Sequence, residues 1–175
     1  MSWIPIGPGF VFGTRALPFT RISSRNEYAL QGLVSNISVS PLDAQRIYVV
    51  SYWQPDESAA FATTDGGTTW RAISDSLRNA DPTIAPSCVA AHPTRAQSLF
   101  LGTGVEGRVH ASDDGGGSWS WSSNPIGTVR ALLVDPRAST ILATTQLYAA
   151  TDQGIWYSAD GGQTFTLEQA GDAWS

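Results

Sequence analysis

Acidic side chains recur in this chain in a fixed setting that could hold a cation. Residues 63–70, 112–119 and 158–165 each read hydroxyl residue, any residue, Asp, Gly, Gly, any residue, Ser or Thr, aromatic. Glycine-rich acidic loops bind Ca²⁺ when many oxygen ligands converge. Within these octets only Asp113 and Asp114 form a pair of acids, so the ligand count is too low. We therefore expect no metal and no cofactor.

The octets instead have the chemistry of a tight hairpin. Adjacent glycines adopt positive φ readily, an Asp carboxylate accepts hydrogen bonds from turn amides, and the closing aromatic packs into the sheet. The central Asp residues lie 49 and 46 residues apart, a period typical of repeat proteins. This structural role is assigned to Thr63, Asp65, Gly67, Thr69, Trp70, Ser112, Asp114, Gly116, Ser118, Trp119, Ser158, Asp160, Gly162, Thr164 and Phe165.

The segments around each octet repeat as well. Short apolar runs at 35–41, 87–93 and 129–136 each end in Pro. A second run follows, beginning at Ile47, Leu99 or Ile141. Each unit therefore predicts a four-stranded meander, with the octet as the hairpin between its third and fourth strands. Because no segment shows sustained 3.6-residue periodicity, almost no helix is expected.

The second strand of the third unit is ambiguous. Residues 141–143 and 147–149 both have the composition of its centre, so the pattern leaves two registers open.

The octets resemble the Asp-box, or BNR, repeats of sialidases, sortilin-type receptors, some glycoside hydrolases and photosystem II assembly factors. Residues 3–9 also resemble the opening strand of many bacterial Asp-box proteins, and the resemblance extends over about 32–167. It implies an all-β, β-propeller-type fold with three four-stranded antiparallel blades, that is, a partial propeller. The blades are expected at about 32–77, 83–124 and 127–170, in one domain spanning 32–175. Residues 1–31 are expected to form an N-terminal strand and an irregular arm.

Three blades are fewer than the four to eight of closed propellers. The two end blades would then expose apolar faces, which favours association. We expect these faces to be covered by a second copy of the chain, giving a six-bladed dimer, or by a protein partner in a larger assembly. Trp3 to Ile6 could complete a blade in this chain or in a partner.

Composition excludes some partners. The 175 residues carry a formal net charge of −5, and all ten positive charges are Arg spread along the chain, so no nucleic-acid partner is expected. No signal peptide or membrane-spanning stretch is recognised, and membrane insertion is not expected. The compartment stays unknown: the chain is cytoplasmic or delivered within an assembly.

The single cysteine and the two histidines are expected to be unreactive. Cys88 falls in the predicted innermost strand of the second blade, where a small buried residue fits. His92 and His110 lack metal-ligand spacing and are expected at the surface or at strand ends.

Candidate ligand contacts lie in the loops on the side opposite the octets. Aromatics beside carboxylates and amides suit sugars or polar peptides, whereas packing within the blades is the alternative for Trp53 and Tyr148. The candidate residues of this face are Arg21, Trp53, Asp56, Glu57, Glu106, Arg108, Arg130, Tyr148 and Asp152.

Three functions follow from the residues and the resemblance. The preferred one is a non-catalytic propeller module for protein–protein interaction or structural assembly. A glycan-binding lectin is an alternative, although the three loops share no residue pattern. The third is a sialidase-like glycoside hydrolase: residues 19–23 resemble the sialidase motif around its first Arg, here Arg21, but an extra Thr intervenes and Ser23 replaces Pro.

Overall fold

The computed structural model describes residues 33–52 and 58–170. The predicted strand at Trp3 to Ile6, the arm to residue 31 and the loop 53–57 lie outside the described residues. The strands are Leu33–Ser40 (β1), Asp43–Tyr52 (β2), Ser58–Thr63 (β3), Arg71–Ala72 (β4), Pro86–Ala91 (β5), Leu99–Thr103 (β6), Val109–Ser112 (β7), Ser120–Trp121 (β8), Val129–Val134 (β9), Leu147–Thr151 (β10), Gly154–Ser158 (β11) and Thr166–Ala170 (β12).

These strands form three four-stranded antiparallel sheets, which confirms the predicted meanders. The first sheet has the order β1-β2-β3-β4, the second β5-β6-β7-β8 and the third β9-β10-β11-β12. We call them blades 1, 2 and 3. The first strands of neighbouring blades contact one another, β1 with β5 and β5 with β9, so the blades follow each other around a common inner edge.

Blade 1 has apolar side chains on both faces of its sheet, and one of these faces packs against blade 2. In blade 1, Tyr48 pairs with Ala62 across β2 and β3, and the adjacent Val49 pairs with Phe61. Successive side chains of a strand point to opposite faces. Tyr48 and Ala62 therefore face blade 2, and Val49 and Phe61 lie on the other face of the sheet.

The main core lies between the blades. One buried cluster joins Tyr48 and Val50 of blade 1 to Val89, Leu99 and Leu101 of blade 2. A second cluster joins blade 2 to blade 3 and includes Phe100, Val109, Ile126, Val129, Leu147 and Phe165. Burial of these side chains, each worth about 1.5–3 kcal/mol, makes the blade interfaces the main source of stability.

The register of the third blade is settled in favour of the later run. Its second strand is Leu147–Thr151, whereas Leu142–Thr144 form a 3₁₀ turn and Ile141 is exposed. The alternative that placed this strand at 141–143 is therefore excluded. Leu147 pairs with Ser158, the first hydroxyl of its octet, as Leu99 pairs with Ser112. The position of the second strand therefore follows from the number of residues between it and the octet, and not from the number of residues after the Pro.

One short helix was not predicted. Helix α1, Asp75–Ala80, follows blade 1 and buries Leu77 in the cluster between blades 1 and 2. Its six residues are too few to produce a visible helical period. The side chain of Ser74 before it accepts a hydrogen bond from the Ala60 amide at 3.0 Å, which ties the helix start to β3.

The two histidines were expected at the surface or at strand ends. Both are buried, so the surface alternative was wrong, but His92 directly follows β5 and His110 is the second residue of β7. Nε2 of His92 lies 2.8 Å from Oγ1 of Thr145, and Nδ1 of His92 accepts the amide of Thr94 at 3.2 Å. Nε2 of His110 lies 3.2 Å from Oε2 of Glu106. Burial lowers the pKa of both imidazoles. These side chains fasten turns in place.

Candidate functional site

Each of the three octets forms the same kind of hydrogen-bonded turn. In the second, Oδ1 of Asp114 accepts the amides of Gly117 at 2.8 Å and Ser118 at 2.9 Å, and Oδ2 accepts the Ser118 hydroxyl at 2.7 Å. The hydroxyl of Ser112 donates to Asp114 at 2.8 Å and accepts the Gly116 amide at 2.8 Å. Positive φ at Gly115 and Gly116 lets the backbone close this loop.

The same bonds keep the octet Asp residues ionised. Hydrogen bonds from the Thr69 hydroxyl and amide lower the pKa of Asp65 to about 2. The Ser118 amide and hydroxyl hold the pKa of Asp114 still further below its usual range. For Asp160, partial burial opposes ionisation, but bonds from Thr164 outweigh it and lower the pKa. Each carboxylate is therefore ionised and hydrogen-bonded to residues of its own turn.

No metal site is found among the described residues. In the described parts of the chain, no group of three or more His, Cys, Asp and Glu side chains lies close enough to share an ion. Each of the carboxylates of Asp65, Asp114 and Asp160 already accepts three or more hydrogen bonds from its own octet, as expected for a side chain that stabilises a turn.

The aromatic residues that close the second and third octets reach the preceding blade. Phe165 is buried in the cluster between blades 2 and 3. Its amide donates to Oδ1 of Asn124 at 3.3 Å, and Nδ2 of Asn124 donates to its carbonyl at 3.1 Å. Trp70 and Trp119 are only partly buried, so the octet aromatic is not always a core plug. The indole of Trp70 donates to Gly67 of its own octet at 3.1 Å.

Two predicted ligand residues lie in a loop but bond within the chain. Glu106 and Arg108 are in the β6–β7 loop, where Oε2 of Glu106 is approached by His110 and by the Thr103 hydroxyl at 3.3 Å. The guanidinium of Arg108 donates to the Ser122 carbonyl. These contacts shape the loop, and they leave little of either group pointing outward.

Asp152 lies in the tight turn between β10 and β11. Its Oδ1 accepts the Thr128 amide at 2.8 Å, which fastens the turn to the start of β9. The remaining loop candidates, Trp53, Asp56 and Glu57, and Arg21 of the arm lie outside the described residues.

Tyr148 and Arg130 do not lie in loops. Tyr148 is the second residue of β10 and Arg130 the second of β9, so the placement of Tyr148 in the β10–β11 loop was wrong. The misplacement followed from the open register of the third blade. The Tyr148 ring instead contacts that of Tyr157 on β11, with ring centroids 5.0 Å apart.

Register shows which surface Tyr148 belongs to. In each blade, one residue of the second strand pairs with the first hydroxyl residue of the octet. The next residue of that strand is Tyr48 in blade 1, Phe100 in blade 2 and Tyr148 in blade 3. These three equivalent residues pair with Ala62, Ala111 and Tyr157, respectively. Tyr48 and Phe100 are both 0 % exposed because the next blade covers them, whereas Tyr148 is 42 % exposed. Tyr148 therefore occupies a blade-interface position.

Other side chains around Tyr148 are exposed for the same reason. Leu133, paired with Tyr148, is the counterpart of Ala90, and Ile155 is the counterpart of Val109, which is buried beneath blade 3. We call Leu133, Tyr148, Ile155 and Tyr157 the open face of blade 3. The sequence alone did not single out Leu133 or Ile155; aligning strands by their distance from the octet would have found them.

Cys88 lies in β5, the first strand of blade 2, as predicted. It is buried, and burial raises its pKa to about 11. The thiol packs in the cluster between blades 2 and 3.

A shallow groove of about 330 Å³ lies beside the turn after β9, lined by Asp135, Arg137, Ala138, Ser139, Thr144 and Gln146. Its two charged groups pair with each other, since Nη2 of Arg137 is 3.2 Å from Oδ2 of Asp135. It offers no unpaired charge to a ligand.

In the described segments, no helix has the length and apolar character needed to span a bilayer.

Comparisons with known proteins place the fold. No family model matches the chain, and no curated protein matches it. Among solved structures it is similar to the GH74 enzyme of Niastella koreensis, at 24 % identity and a TM-score of 0.61 over 78 % of this chain and 22 % of that one.

The chain is also similar to YCF48 from Cyanidioschyzon merolae, at 21 % identity and a TM-score of 0.57 over 81 % of this chain and 42 % of that one. A structure of YCF48 bound to D1 peptide matches at 20 % identity and a TM-score of 0.50, over 76 % of this chain and 39 % of that one. The chain thus spans about a fifth of the GH74 enzyme and two fifths of YCF48. The likeness shows the fold: this chain is an all-β partial propeller of three four-stranded blades.

Proposed function

We propose that this protein is a non-catalytic propeller module that binds another protein through the open face of blade 3. The observation that carries the proposal is the exposure of Tyr148 at a position where blades 1 and 2 bury Tyr48 and Phe100. A surface built to pack against a blade is here left available to a partner.

The chemistry of the face suits protein binding. Leu133 and Ile155 supply aliphatic surface, and two tyrosines supply rigid aromatic area with a polar tip. Clustered exposed apolar side chains mark interaction sites, and Tyr is enriched at binding hot spots. Binding of a D1 peptide by YCF48, a protein of similar fold, agrees with a role in protein recognition.

The described loops give less support to a lectin or a hydrolase. Glu106 and Asp152, the carboxylates expected to meet a sugar, accept bonds from His110 and Thr128. A retaining glycosidase needs two carboxyl groups about 5–5.5 Å apart on either side of a substrate, whereas Glu106 lies in the β6–β7 loop of blade 2 and Asp152 in the β10–β11 turn of blade 3.

Site-specific photo-crosslinking tests the proposal. A benzophenone amino acid in place of Tyr148 is expected to give protein adducts on irradiation, identifiable by mass spectrometry. The same group in place of Trp121, which is also exposed but lies on blade 2, is the matched control. Adduct yields that are equal at the two positions, or absent at both, would overturn the proposal.

A further inference from the structure

The two ends of the three-blade arc expose different halves of one type of interface. The open face of blade 3 is one half. The other lies on β1 of blade 1, where Ile37 and Val39 are exposed. Ile47, Val49 and Phe61 on the same sheet face are already buried, so blade 1 offers its first strand rather than its whole face.

The internal interfaces show how these halves fit. Ile37 pairs with Val49 as Val89 pairs with Leu101, so Val89 of β5 is the counterpart of Ile37 of β1. Val89 is 4 % exposed and shares the buried cluster of Tyr48, whereas Ile37 is 63 % exposed. Where two blades meet, the first strand of the later blade packs against the second strand of the earlier one, β5 against β2 and β9 against β6.

We propose, resting on the function proposed above, that the partner is a second copy of this chain, which seats Ile37 and Val39 of its blade 1 against Tyr148 and Leu133 of blade 3. The contact repeats the packing of Val89 against Tyr48. It is heterologous, and because each copy carries both halves, two copies close with two identical contacts into a six-bladed ring.

A tryptophan gives this contact a specific hydrogen bond. Nε1 of Trp119 donates to the carbonyl of Ile73, three residues after the preceding octet's Trp70. On blade 3 the residue at the same spacing is Glu168 in β12, three residues after Phe165, at a β-bulge that places Gln169 opposite Ile155. Among the described residues no blade precedes Trp70, and its indole donates to the carbonyl of Gly67. In the ring, the Trp70 indole donates instead to a backbone carbonyl of this bulge in β12 of the second copy.

Complementation between two variants, each carrying a new negative charge on one of the two halves, tests this arrangement. Tyr148→Glu disables blade 3 and Ile37→Glu disables blade 1, each by placing a carboxylate in an apolar contact. Light scattering at micromolar concentration is expected to give a dimer for the wild type and a monomer for each variant. Native mass spectrometry of the mixed variants, one carrying a tag, is expected to show a heterodimer, since one intact contact is restored.

Controls keep folding separate from association. Both substituted side chains are exposed, and circular dichroism reports whether each variant is folded. Ile155→Glu and Val39→Glu repeat the test at second positions on the two halves. Ile141→Glu, at an exposed position outside both halves, is expected to remain a dimer.

Two outcomes overturn the inference. A monomeric wild type does so; protein adducts from position 148 would then leave the proposed function standing with a different partner. Loss of the dimer in Tyr148→Glu but not in Ile37→Glu does so as well, because it indicates two blade 3 faces meeting symmetrically. If position 148 gives no adduct of any kind, the proposed function fails too.

Discussion

The indole Nε1 of Trp119 donates a 2.9 Å hydrogen bond to the backbone carbonyl of Ile73, linking the octet of blade 2 to blade 1. Asn124 and Phe165 form the corresponding link between blades 2 and 3. The Asp residue of each octet therefore closes a hairpin, and the aromatic residues of the second and third octets attach their hairpins to the blade before them.

Replacing Trp119 by Phe tests the link between blades. Trp119→Phe keeps most of the ring contact but removes the donor, so the Ile73 carbonyl loses its partner. We expect the free energy of unfolding to fall by about 1 kcal/mol, the usual value for one hydrogen bond. Urea denaturation measures it. Trp121→Phe, at an exposed tryptophan of the same blade, is the control and should leave stability unchanged; an equal loss in both variants would contradict the link.

Gly102 tests how closely blades 2 and 3 pack. A Cβ at this position would lie 2.6 Å from Sγ of Cys88 and 2.6 Å from Cγ1 of Val129. Gly102→Ala is expected to cost about 1–3 kcal/mol through overpacking, measured by urea denaturation. At Gly104 the nearest atom is 3.8 Å away, so Gly104→Ala should have little effect.

A second substitution identifies the cause of that loss. Truncation of the opposing side chain in the double variant Gly102→Ala, Val129→Ala makes room for the new methyl group. Its stability should exceed the value expected from adding the two single effects. Strict additivity would show that the two side chains do not meet.

Much of the fold could be predicted from the octets. Their period and glycines indicated three hairpins, and the apolar runs before them indicated the strands. Both features could be predicted because a turn and the alternation of apolar and polar side chains along a strand depend on residues close together in sequence. The 3₁₀ turn at Leu142–Thr144 was missed because its apolar residues look like those of a strand. Only pairing of Leu147 with Ser158 across the sheet separates the two.

The candidate site was less predictable. Tyr148 has the same residue type whether it lies in a ligand loop or on a blade face, and only its pairing with Tyr157 and Leu133 decides. His92 was expected at the surface or at a strand end, because a lone polar residue is usually exposed. Its partner Thr145 is remote in sequence and comes close only through the packing of blade 3 on blade 2.

Acid should weaken the first octet. The pKa of Asp65 falls from its usual value near 4 to about 2 on folding, so its contribution is fully present above pH 4 and is lost as pH falls toward 2. Asp65→Asn should therefore be less stable than the wild type at pH 6, and the difference should shrink between about pH 4 and pH 2. Urea midpoints across this range measure it. A constant difference would show that the carboxylate's charge is not what stabilises the turn.

Asp113 and Asp114 of the second octet allow a carboxylate that stabilises a turn to be compared with one that is only a surface charge. Asp114 accepts hydrogen bonds from Ser112, Gly117 and Ser118, whereas Asp113 is exposed and forms an ion pair with Arg95 at 3.7 Å. Asp114→Asn is expected to cost about 1 kcal/mol, the value of charge-assisted bonds after solvent screening. Asp113→Asn should change stability by less than about 0.5 kcal/mol. Urea denaturation at pH 7 compares them, and a larger effect at Asp113 would contradict the assigned roles.

The thiol of Cys88 reports whether blades 2 and 3 separate. It is buried between them, and its pKa of about 11 leaves almost no thiolate at neutral pH. A disulfide reagent is therefore expected to react with it very slowly in the native protein and rapidly in urea. Gly102→Ala, which crowds this same contact, should speed the native reaction, whereas Gly104→Ala should not. Fast labelling of the unmodified protein would mean that the interface opens without global unfolding, because only the thiolate reacts and it must first reach solvent.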